Sequence, residues 1–254
     1  MADCIERIER FITQRCGVDF RSKSFFFKRH LLRAMENLGI NECERFYLKL
    51  HDRDFFQKAI SHFMVSQSFF NRESRHFEIL IELLQKDNYP FVKILSIPCA
   101  NGEEPYTIAL YLLENGIENF TIEAIDINPE AIQRAKSALY PKRSISYLPK
   151  RWIDRYFYKQ DDFYRLDPRI ASCVNFSCAN LFDLDCKDCF DAIFCRNLLI
   201  YLDPIKKQEA MERFFELLRD GGYLFLSFSD YVDRVVGFDT ISLKDKNIYK
   251  KRAL

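Results

Sequence analysis

The chain has 254 residues, of which 48% are hydrophobic and 30% charged, and its 38 Lys and Arg residues nearly balance its 37 Asp and Glu residues. This length can bury a real core, either as one large domain or as a medium and a small one. Seven Gly and eight Pro are too few for a linker-rich or low-complexity chain. A net charge of +1 gives no global reason to expect a nucleic-acid partner.

The sequence lacks the patterns of membrane or exported proteins. It has no apolar run near the ~20 residues that a membrane span needs. Residues 1–7 carry charges where a signal peptide would need its apolar stretch. We therefore expect a cytoplasmic protein that does not insert into a membrane.

The nine cysteines are an odd number, which argues against a disulfide framework. Five of them lie between Cys173 and Cys195, but only Cys186 and Cys189 have the spacing of metal ligands. Cys178 and Cys195 fall in apolar segments typical of strands, where a buried free thiol is ordinary. We expect buried thiols in this group rather than a metal site.

The first 88 residues carry helical periodicity and no convincing strand. Apolar residues recur at i, i+3 and i+4, as on one face of an amphipathic helix, and Gly39 is a typical helix end. The predicted helices span residues 3–15, 27–38, 42–50, 53–63 and 75–85. We predict a small all-helical domain over residues 1–75 and a second domain over residues 76–254.

From residue 92 onward, strand-like and helix-like segments alternate. The predicted strands span residues 92–97, 121–125, 174–178, 191–195 and 223–227, and the predicted helices 105–113, 129–139 and 206–218. Such alternation is typical of βαβ units, so we predict an α/β fold with a doubly wound, mostly parallel sheet. Residues 140–166 are basic and aromatic and interrupt the alternation, which indicates a small inserted subdomain at about 140–172.

The turn after the first predicted strand is acidic. It contains Gly102, Glu103 and Glu104, but neither the glycine pattern of a P-loop nor that of a dinucleotide-binding oxidoreductase. Two carboxylates would repel a phosphate and suit a ligand with cationic groups. Asp126 ends the second strand, where a carboxylate can accept both hydroxyls of a ribose. These acidic residues could simply begin helices; the functional alternative is a cationic nucleoside, which suggests S-adenosylmethionine.

Four segments resemble the CheR family, the chemotaxis receptor glutamate O-methyltransferases. Residues 102–109, GEEPYTIA, resemble the family's GEEPYSIA motif, and residues 194–203, FCRNLLIYLD, resemble its FCRNVMIYFD motif. Residues 68–77, SFFNRESRHF, are similar to its T-x-F-F-R-E and HHF segment, and residues 126–131, DINPEA, to its DID-x-E-x-L turn. The resemblance covers nearly the whole chain. It implies a Rossmann-like methyltransferase domain with a small inserted β-subdomain.

Carried over by position, the resemblance implies a set of site residues. Those implied for the cofactor S-adenosylmethionine are Ser66, Ser68, Arg72, Glu104, Asp126, Asn180, Leu181, Arg196 and Asn197. Arg72 and Tyr201 would be catalytic, with Arg72 neutralising a carboxylate of the cofactor or of the substrate. Tyr201 is equally interpretable as a core aromatic residue. No metal is implied.

The resemblance also implies a substrate, the glutamates in the cytoplasmic helical region of chemoreceptors. Family members use a basic N-terminal helix on receptors, represented here by Lys28, Arg29 and Arg33. These cations are equally interpretable as the solvated face of an amphipathic helix. Residues 156–166 contain no Gly, which tight hairpins favour, so we expect recognition without a C-terminal tether peptide of the receptor.

Two departures from the family pattern keep other functions open. The chain has Ser66 and Ser68 where the family often has Asn and Thr, and residues 228–230 read FSD where it commonly has HSE. A non-catalytic receptor-binding adaptor is therefore one alternative. A methyltransferase for a small molecule or a nucleic acid is another, although residues 196–199 lack the [DN]PP[YF] turn of enzymes that methylate DNA bases.

Overall fold

The N-terminal third of the chain is helical, as its apolar spacing predicts. A computed structural model describes residues 2–20, 24–64, 68–87, 89–230, 232 and 235–253. Its first helices are α1 (Ala2–Cys16), α2 (Ser24–Asn37), α3 (Cys43–Lys49), α4 (Arg53–Ile60) and α5 (Arg75–Asp87). Gly39 follows α2 at a φ of 66°, a left-handed backbone that glycine adopts without steric penalty.

Helices α1 to α4 share one apolar core. Ile8, Phe27 and Phe46, from the first three of these helices, are at most 1% exposed and belong to a cluster that ends at Phe63. Helix α5 packs instead against the core of the sheet, to which Phe70 also belongs. The chain therefore passes from one hydrophobic cluster to the other between residues 63 and 70.

One disulfide joins the first and third helices. Cys4 of α1 is bonded to Cys43 at the start of α3, 39 residues later. The odd number of cysteines argued against a disulfide framework and gave no sign of this bond, which forms because the packing of α1 on α3 brings together two cysteines that are distant in sequence. The other seven cysteines are free.

A seven-stranded sheet is the centre of the rest of the chain. The strands are β1 (Val92–Ser96), β2 (Phe120–Asp126), β3 (Leu139–Pro141), β4 (Phe157–Gln160), β5 (Phe163–Leu166), β6 (Val174–Cys178), β7 (Phe190–Cys195), β8 (Leu218–Leu226), β9 (Phe238–Leu243) and β10 (Lys246–Lys251). The large sheet has the order β6-β2-β1-β7-β8-β10-β9. Neighbours from β6 to β8 run parallel, and β10 is antiparallel to both β8 and β9. The predicted doubly wound, mostly parallel sheet is confirmed.

Helices cover both faces of this sheet. The remaining helices are α6 (Glu103–Glu114), α7 (Pro129–Ser137), α8 (Lys142–Ile145), α9 (Lys150–Tyr156), α10 (Pro168–Ala171) and α11 (Pro204–Leu217). In β7, Ala192 and Phe194 belong to the core that includes α5 and α6, whereas Ile193 and Cys195 belong to the core that includes α11. Because successive side chains of a strand point to opposite faces, a strand covered on both faces reads as a continuous apolar run.

No described helix is both long enough and apolar enough to cross a membrane.

Two features of the C-terminal region differ from the prediction. Strand β8 begins at Leu218 rather than Tyr223, because the pairing with β7 passes from Leu218 directly to Tyr223 and the residues between them bulge out. The hairpin β9–β10 was not predicted at all. Its residues are mostly polar or exposed, and only Phe238, Ile248 and Lys251 are buried, so its apolar pattern is weak.

The insertion forms its own small sheet, as the resemblance implied. Strands β3, β5 and β4 pair antiparallel in that order. Asp161 takes a φ of 52° in the turn between β4 and β5, so an aspartate fills the left-handed position that glycine usually occupies. Trp152 Nε1 and Tyr156 Oη both donate hydrogen bonds to the carboxylate of Glu114, which holds α9 of the insertion against α6.

Candidate active site

A cavity of about 520 Å³ lies at the carboxyl ends of β1, β2 and β7, between the sheet and the N-terminal helices. Its volume falls in the range of roughly 300–1,000 Å³ that is typical of small-molecule sites. The structure brings together nine predicted site residues in its lining: Ser68, Arg72, Glu104, Asp126, Asn180, Leu181, Arg196, Asn197 and Tyr201. The tenth, Ser66, lies outside the described residues. We call this space the main cavity.

The turn that leads from β1 into the main cavity requires a glycine. Gly102 has a φ of 91°, and a Cβ there would lie 2.9 Å from the hydroxyl of Tyr140 and 3.0 Å from Cβ of Ala135. The Tyr140 hydroxyl donates to the carbonyl oxygen of Asn101 at 2.7 Å. Gly102 thus allows the inserted subdomain to approach the start of α6 closely.

Asp126 is held at the end of β2 by backbone donors. Its Oδ2 accepts from the N–H of Ala100 and its Oδ1 from the N–H of Asn128, each at 2.9 Å. Burial raises the pKa of Asp126 to about 6, while these backbone hydrogen bonds oppose the rise. The carboxylate therefore lies in the cavity wall with fixed orientation and with lone pairs left for a ligand's hydroxyls.

Glu104 and Arg196 form a buried ion pair in the wall of the main cavity. Nη1 of Arg196 lies 3.0 Å from Oε2 of Glu104, and the hydroxyl of Ser96 donates to Oε1 at 2.8 Å. Burial raises the pKa of Glu104, and the positive charge of Arg196 opposes that shift. Arg196 also donates to the carbonyl oxygen of Arg72. The charge of Glu104, expected to face a cationic ligand, is thus already met by an arginine.

Asn197 follows β7 in a left-handed conformation, with a φ of 61°. Its Nδ2 donates to Oγ of Ser229 at 2.9 Å and lies 3.3 Å from Oγ of Ser227. These bonds hold the segment after β7 against the end of β8, so Arg196 and Asn197 reach the cavity from a braced turn.

Asn180 connects the loop after β6 to the N-terminal helices. Its Nδ2 donates to the carbonyl oxygen of Arg15 at 2.9 Å, and its Oδ1 accepts from the N–H of Phe182 at 3.3 Å. Leu181, between them, is only 3% exposed. The side chain of Asn180 therefore fastens α1 over the sheet and helps to close the main cavity.

Tyr201 combines the two predicted alternatives. Its side chain lines the main cavity and also packs against the N-terminal hydrophobic cluster. Its carbonyl oxygen accepts from the N–H of Asp19 at 2.6 Å, and Val18 forms a β-bridge with Leu202. The segment after β7 is thus joined to the segment after α1, which fixes Tyr201 where the two parts of the chain meet.

Arg72 places a cation in the wall of the main cavity. Among the described residues, no Asp or Glu oxygen forms an ion pair with its guanidinium, which lies over the ring of Phe69 at 5.7 Å from the centroid. Its side chain is only partly buried. Because an unpaired guanidinium presents up to five donors, Arg72 is able to bind a carboxylate that enters the cavity.

Helix α2 faces the main cavity with a different set of residues from the predicted cations. Phe26, Phe27 and His30 line the cavity, whereas Lys28, Arg29 and Arg33 are exposed and lie outside the lining. Nδ1 of His30 donates to the carbonyl oxygen of His62 at 2.7 Å, because a carbonyl can only accept. The i, i+4 spacing of Phe26 and His30 could have identified this face. Sequence reasoning did not assign His30 to the site.

The cysteine group between residues 173 and 195 lies away from the main cavity lining. Its five thiols are free, and no group of three or more His, Cys, Asp or Glu residues in the described part of the chain is arranged to hold a metal ion. Burial raises the pKa of Cys186 to about 12, with the neighbouring Cys189 adding to the rise. A thiol with so high a pKa is a poor nucleophile at neutral pH.

Comparison with known proteins gives a consistent result. The family model described as "CheR methyltransferase, SAM binding domain" matches residues 66–245. The chain is 34% identical over 249 residues to chemotaxis protein methyltransferase 2 of Vibrio cholerae, covering 90% of this chain and 85% of that protein. It is 29% identical over 256 residues to the chemotaxis protein methyltransferase of Salmonella typhimurium, covering 96% and 88%. It is also 31% identical over 234 residues to the probable biofilm formation methyltransferase WspC of Pseudomonas aeruginosa, covering 87% of this chain and 55% of that protein.

Proposed function

We propose, since this chain belongs to the CheR methyltransferase family, that it methylates glutamate side chains of chemoreceptors, with S-adenosylmethionine as methyl donor. The products would be a glutamate γ-methyl ester and S-adenosylhomocysteine. One observation carries the proposal: residues from four separate segments of the sequence line a single cavity at the carboxyl ends of the strands. The names of the relatives supply the chemotaxis context.

The residues of the main cavity fit S-adenosylmethionine. The fixed carboxylate of Asp126 suits ribose hydroxyls, and the apolar side chains of Leu181 and Phe182 suit the faces of an adenine. The residues that we propose to hold the cofactor are Ser66, Ser68, Arg72, Glu104, Asp126, Asn180, Leu181, Arg196 and Asn197. Of these, Glu104 and Arg196 would act as a pair, because each already neutralises the other.

The reaction needs no general base from the protein. The cofactor supplies an electrophilic methyl carbon on a sulfonium. A glutamate carboxylate, with an ordinary pKa near 4.3, is already ionised at neutral pH. One of its oxygens forms the new bond to carbon, the carbon–sulfur bond breaks and its electron pair goes to sulfur, and no proton moves. Catalysis then depends on positioning the carboxylate and removing its water.

Arg72 and Tyr201 are the residues that we propose for this positioning. The unpaired guanidinium of Arg72 attracts the acceptor carboxylate and orients it through two parallel N–H donors. Tyr201 forms part of the cavity wall where the N-terminal helices meet the sheet, and its ring there excludes water. Tyr201 acts on the acceptor, and Arg72 acts mainly on the acceptor although it also borders the cofactor, so their loss should lower the rate more than it lowers cofactor affinity.

The exposed cations of α2 are the surface that we propose for receptor recognition. Lys28, Arg29 and Arg33 are exposed on the helix whose Phe26, Phe27 and His30 line the main cavity, and the guanidinium of Arg29 lies over the ring of Phe26 at 5.2 Å from its centroid. An acidic helical face of a receptor that met these cations would lie beside the cavity. We propose that this contact is made in the cytoplasm, on the helical region of chemoreceptors and without a C-terminal tether peptide.

Methyl labelling of receptors tests the proposal directly. The enzyme is incubated with methyl-labelled S-adenosylmethionine and membranes that contain chemoreceptors, and the expected product is label on receptor that alkali releases. An Arg72→Ala enzyme should leave the receptors nearly unlabelled. Peptide mapping then identifies the esterified glutamates. Cofactor binding without alkali-labile label on any receptor would refute the proposal and favour an adaptor role.

A further inference from the structure

A second cavity of about 680 Å³ lies beside the main one. We call it the side cavity. It shares Ser68, Phe69 and Arg72 with the main cavity, so the segment 68–72 is the wall between them. The rest of its lining comes from the turn after β1, from α7 and from the inserted subdomain: Asn101, Glu103, Arg134, Ser137, Leu139, Tyr140, Pro141, Arg143, Ser144, Tyr147 and Phe163.

Two adjacent glutamates divide between the two cavities. Glu104 lines the main cavity, and Glu103 lines the side cavity, because successive residues of a helix point about 100° apart. Glu103 is only 2% exposed, and its Oε2 has no hydrogen-bond partner among the described residues. An unsatisfied polar atom in a buried position costs free energy, so its presence at a cavity wall indicates a place for a ligand.

The lining of the side cavity is otherwise cationic. Arg72 and Arg143 have no ion pair with any carboxylate in the described part of the chain, and Arg134 reaches Glu130 at 3.3 Å on the surface. Burial raises the pKa of Glu103 to about 7, while the nearby Ser68 and Asn101 side chains oppose the rise. Because three arginines face one carboxyl group, the lining as a whole suits an anionic oxygen ligand, to which Glu103 can donate a hydrogen bond in its protonated form.

The wall between the cavities is held in place by the inserted subdomain. The N–H of Phe70 donates to the carbonyl oxygen of Ser144 at 2.9 Å, and Nδ2 of Asn71 donates to the carbonyl oxygen of Tyr147 at 2.9 Å. The rings of Phe69 and Tyr147 are 4.6 Å apart between centroids. The side cavity is therefore formed before any ligand arrives, and its shape is fixed to that of the segment that carries Arg72.

We propose that the side cavity binds an acidic side chain of the methyl-accepting protein that lies next to the acceptor glutamate; this inference rests on the proposed function. An acceptor carboxylate at Arg72 stands at the edge of the side cavity, since Arg72 lines both spaces. In a helical substrate, residues three or four positions apart lie about 5–6 Å from each other on one face. A second carboxylate one turn away then enters the side cavity and meets Arg143 and Glu103. The side cavity thus selects acceptors that have an acidic neighbour.

Arg143 is the residue whose substitution tests the inference, because it is exposed and lies outside the main cavity lining. Two substrates are compared. The parent fragment is the cytoplasmic fragment of a receptor that the wild-type enzyme methylates. In the neutralised fragment, the acidic residues within one turn of the mapped acceptor are changed to Gln. Arg143→Ala should raise the KM for the parent fragment about 3- to 10-fold, with kcat and the Kd for S-adenosylmethionine unchanged. It should have no effect on the neutralised fragment, and Arg143→Lys should restore part of the loss.

Lys142→Ala is the matched control, since Lys142 is exposed on the same helix, α8, and does not line the side cavity. Equal KM values for Arg143→Ala and Lys142→Ala would overturn the inference. So would a loss in Arg143→Ala that persists on the neutralised fragment. A wild-type enzyme that forms no receptor ester would instead refute the proposed function, so the two failures are distinguishable.

Discussion

The carboxylate of Asp230 holds the backbone that carries Asn197. Its Oδ2 accepts from the N–H of Asn197 and its Oδ1 from the N–H of Ile200, the latter at 3.2 Å, and Asp230 is only 3% exposed. It also accepts from the hydroxyl of Ser227 at 2.6 Å. Asp230 is the last residue of the FSD segment, which departs from the family's HSE pattern. The carboxylate at this position therefore braces the active-site turn without the histidine.

Replacing Asp230 should weaken both the fold and cofactor binding. Asp230→Ala leaves two backbone N–H groups without their acceptor, and each unsatisfied buried donor costs about 1–3 kcal/mol. We expect a loss of about 2–4 kcal/mol in unfolding free energy and at least a tenfold rise in the Kd for S-adenosylmethionine. Thermal unfolding and calorimetric titration measure the two quantities. Asp239→Ala, which removes an exposed partner of Arg252, should change neither, and equal behaviour of the two variants would contradict the bracing role.

Replacing Arg72 should separate catalysis from cofactor binding. Arg72→Ala should lower kcat for receptor methylation by about 100-fold or more. Loss of a fixed hydrogen-bond donor to a reacting oxygen typically has an effect of this size. The Kd for S-adenosylmethionine should change less than tenfold. Arg72→Lys should recover only part of the rate, because an ammonium lacks the paired donors of a guanidinium.

Arg75→Ala is the control for Arg72, since Arg75 is exposed and pairs with Glu78 on the surface. Its rate should equal that of the wild-type enzyme. A loss of cofactor affinity in Arg72→Ala as large as the loss of rate would show instead that Arg72 serves the carboxylate of the cofactor and not that of the acceptor.

Cofactor affinity should fall as the pH drops through about 6. Burial raises the pKa of Asp126 to about 6, and only the ionised carboxylate accepts both ribose hydroxyls. At pH 5 roughly a tenth of the groups are ionised, so the Kd for S-adenosylmethionine should rise about tenfold between pH 7 and pH 5. Asp126→Asn should bind weakly with no such pH dependence. An unchanged wild-type Kd over this range would contradict the assigned role.

Ionisation of Asp126 favours cofactor binding but lowers the stability of the fold. Because the pKa of Asp126 is higher in the folded chain than its ordinary value of 3.8, the folded state holds more protons between about pH 4 and pH 6. Its contribution to the unfolding free energy therefore decreases as the pH rises through this interval. Comparison of wild type with Asp126→Asn in denaturant titrations at pH 4 and pH 7 measures this difference.

Charge reversal on α2 should slow receptor methylation without affecting the cofactor. Arg33→Glu should lower kcat/KM for a receptor about 3- to 10-fold at low salt, and the difference should shrink as salt screens the contact. The Kd for S-adenosylmethionine should stay the same, because Arg33 lies outside the main cavity lining. Arg45→Glu, on the exposed side of α3, is the control. Full activity of Arg33→Glu at low salt would place the docking surface elsewhere.

Peptides that copy receptor C-termini should not bind the inserted subdomain. The turn between β4 and β5 carries two exposed carboxylates, Asp161 and Asp162, which repel the terminal carboxylate of such a peptide. Titration with these peptides at low salt should give no measurable heat. Micromolar binding that is lost when Phe163 at the start of β5 is changed to Pro would show that the subdomain accepts a tether after all.

The local pattern of the sequence determined the fold class, and the family motifs within it indicated most of the site. Apolar spacing predicted five N-terminal helices, and the alternation after residue 92 predicted the parallel strands, because each of these patterns depends only on residues a few positions apart. Asp126, at the end of a predicted strand, could be placed at the site for the same reason, because parallel strands bring their carboxyl ends to one edge. Arg196 and most of the remaining site residues were expected only from the family resemblance.

Only the tertiary structure determined the contacts between residues that lie far apart in the chain. The bond from Asn180 to the carbonyl of Arg15 spans 165 positions, and no periodicity encodes it. The disulfide between Cys4 and Cys43 likewise depends on the angle at which α1 meets α3. The division of Glu103 and Glu104 between two cavities depends on what packs around α6, since the sequence makes the two carboxylates equivalent and only their neighbours distinguish them.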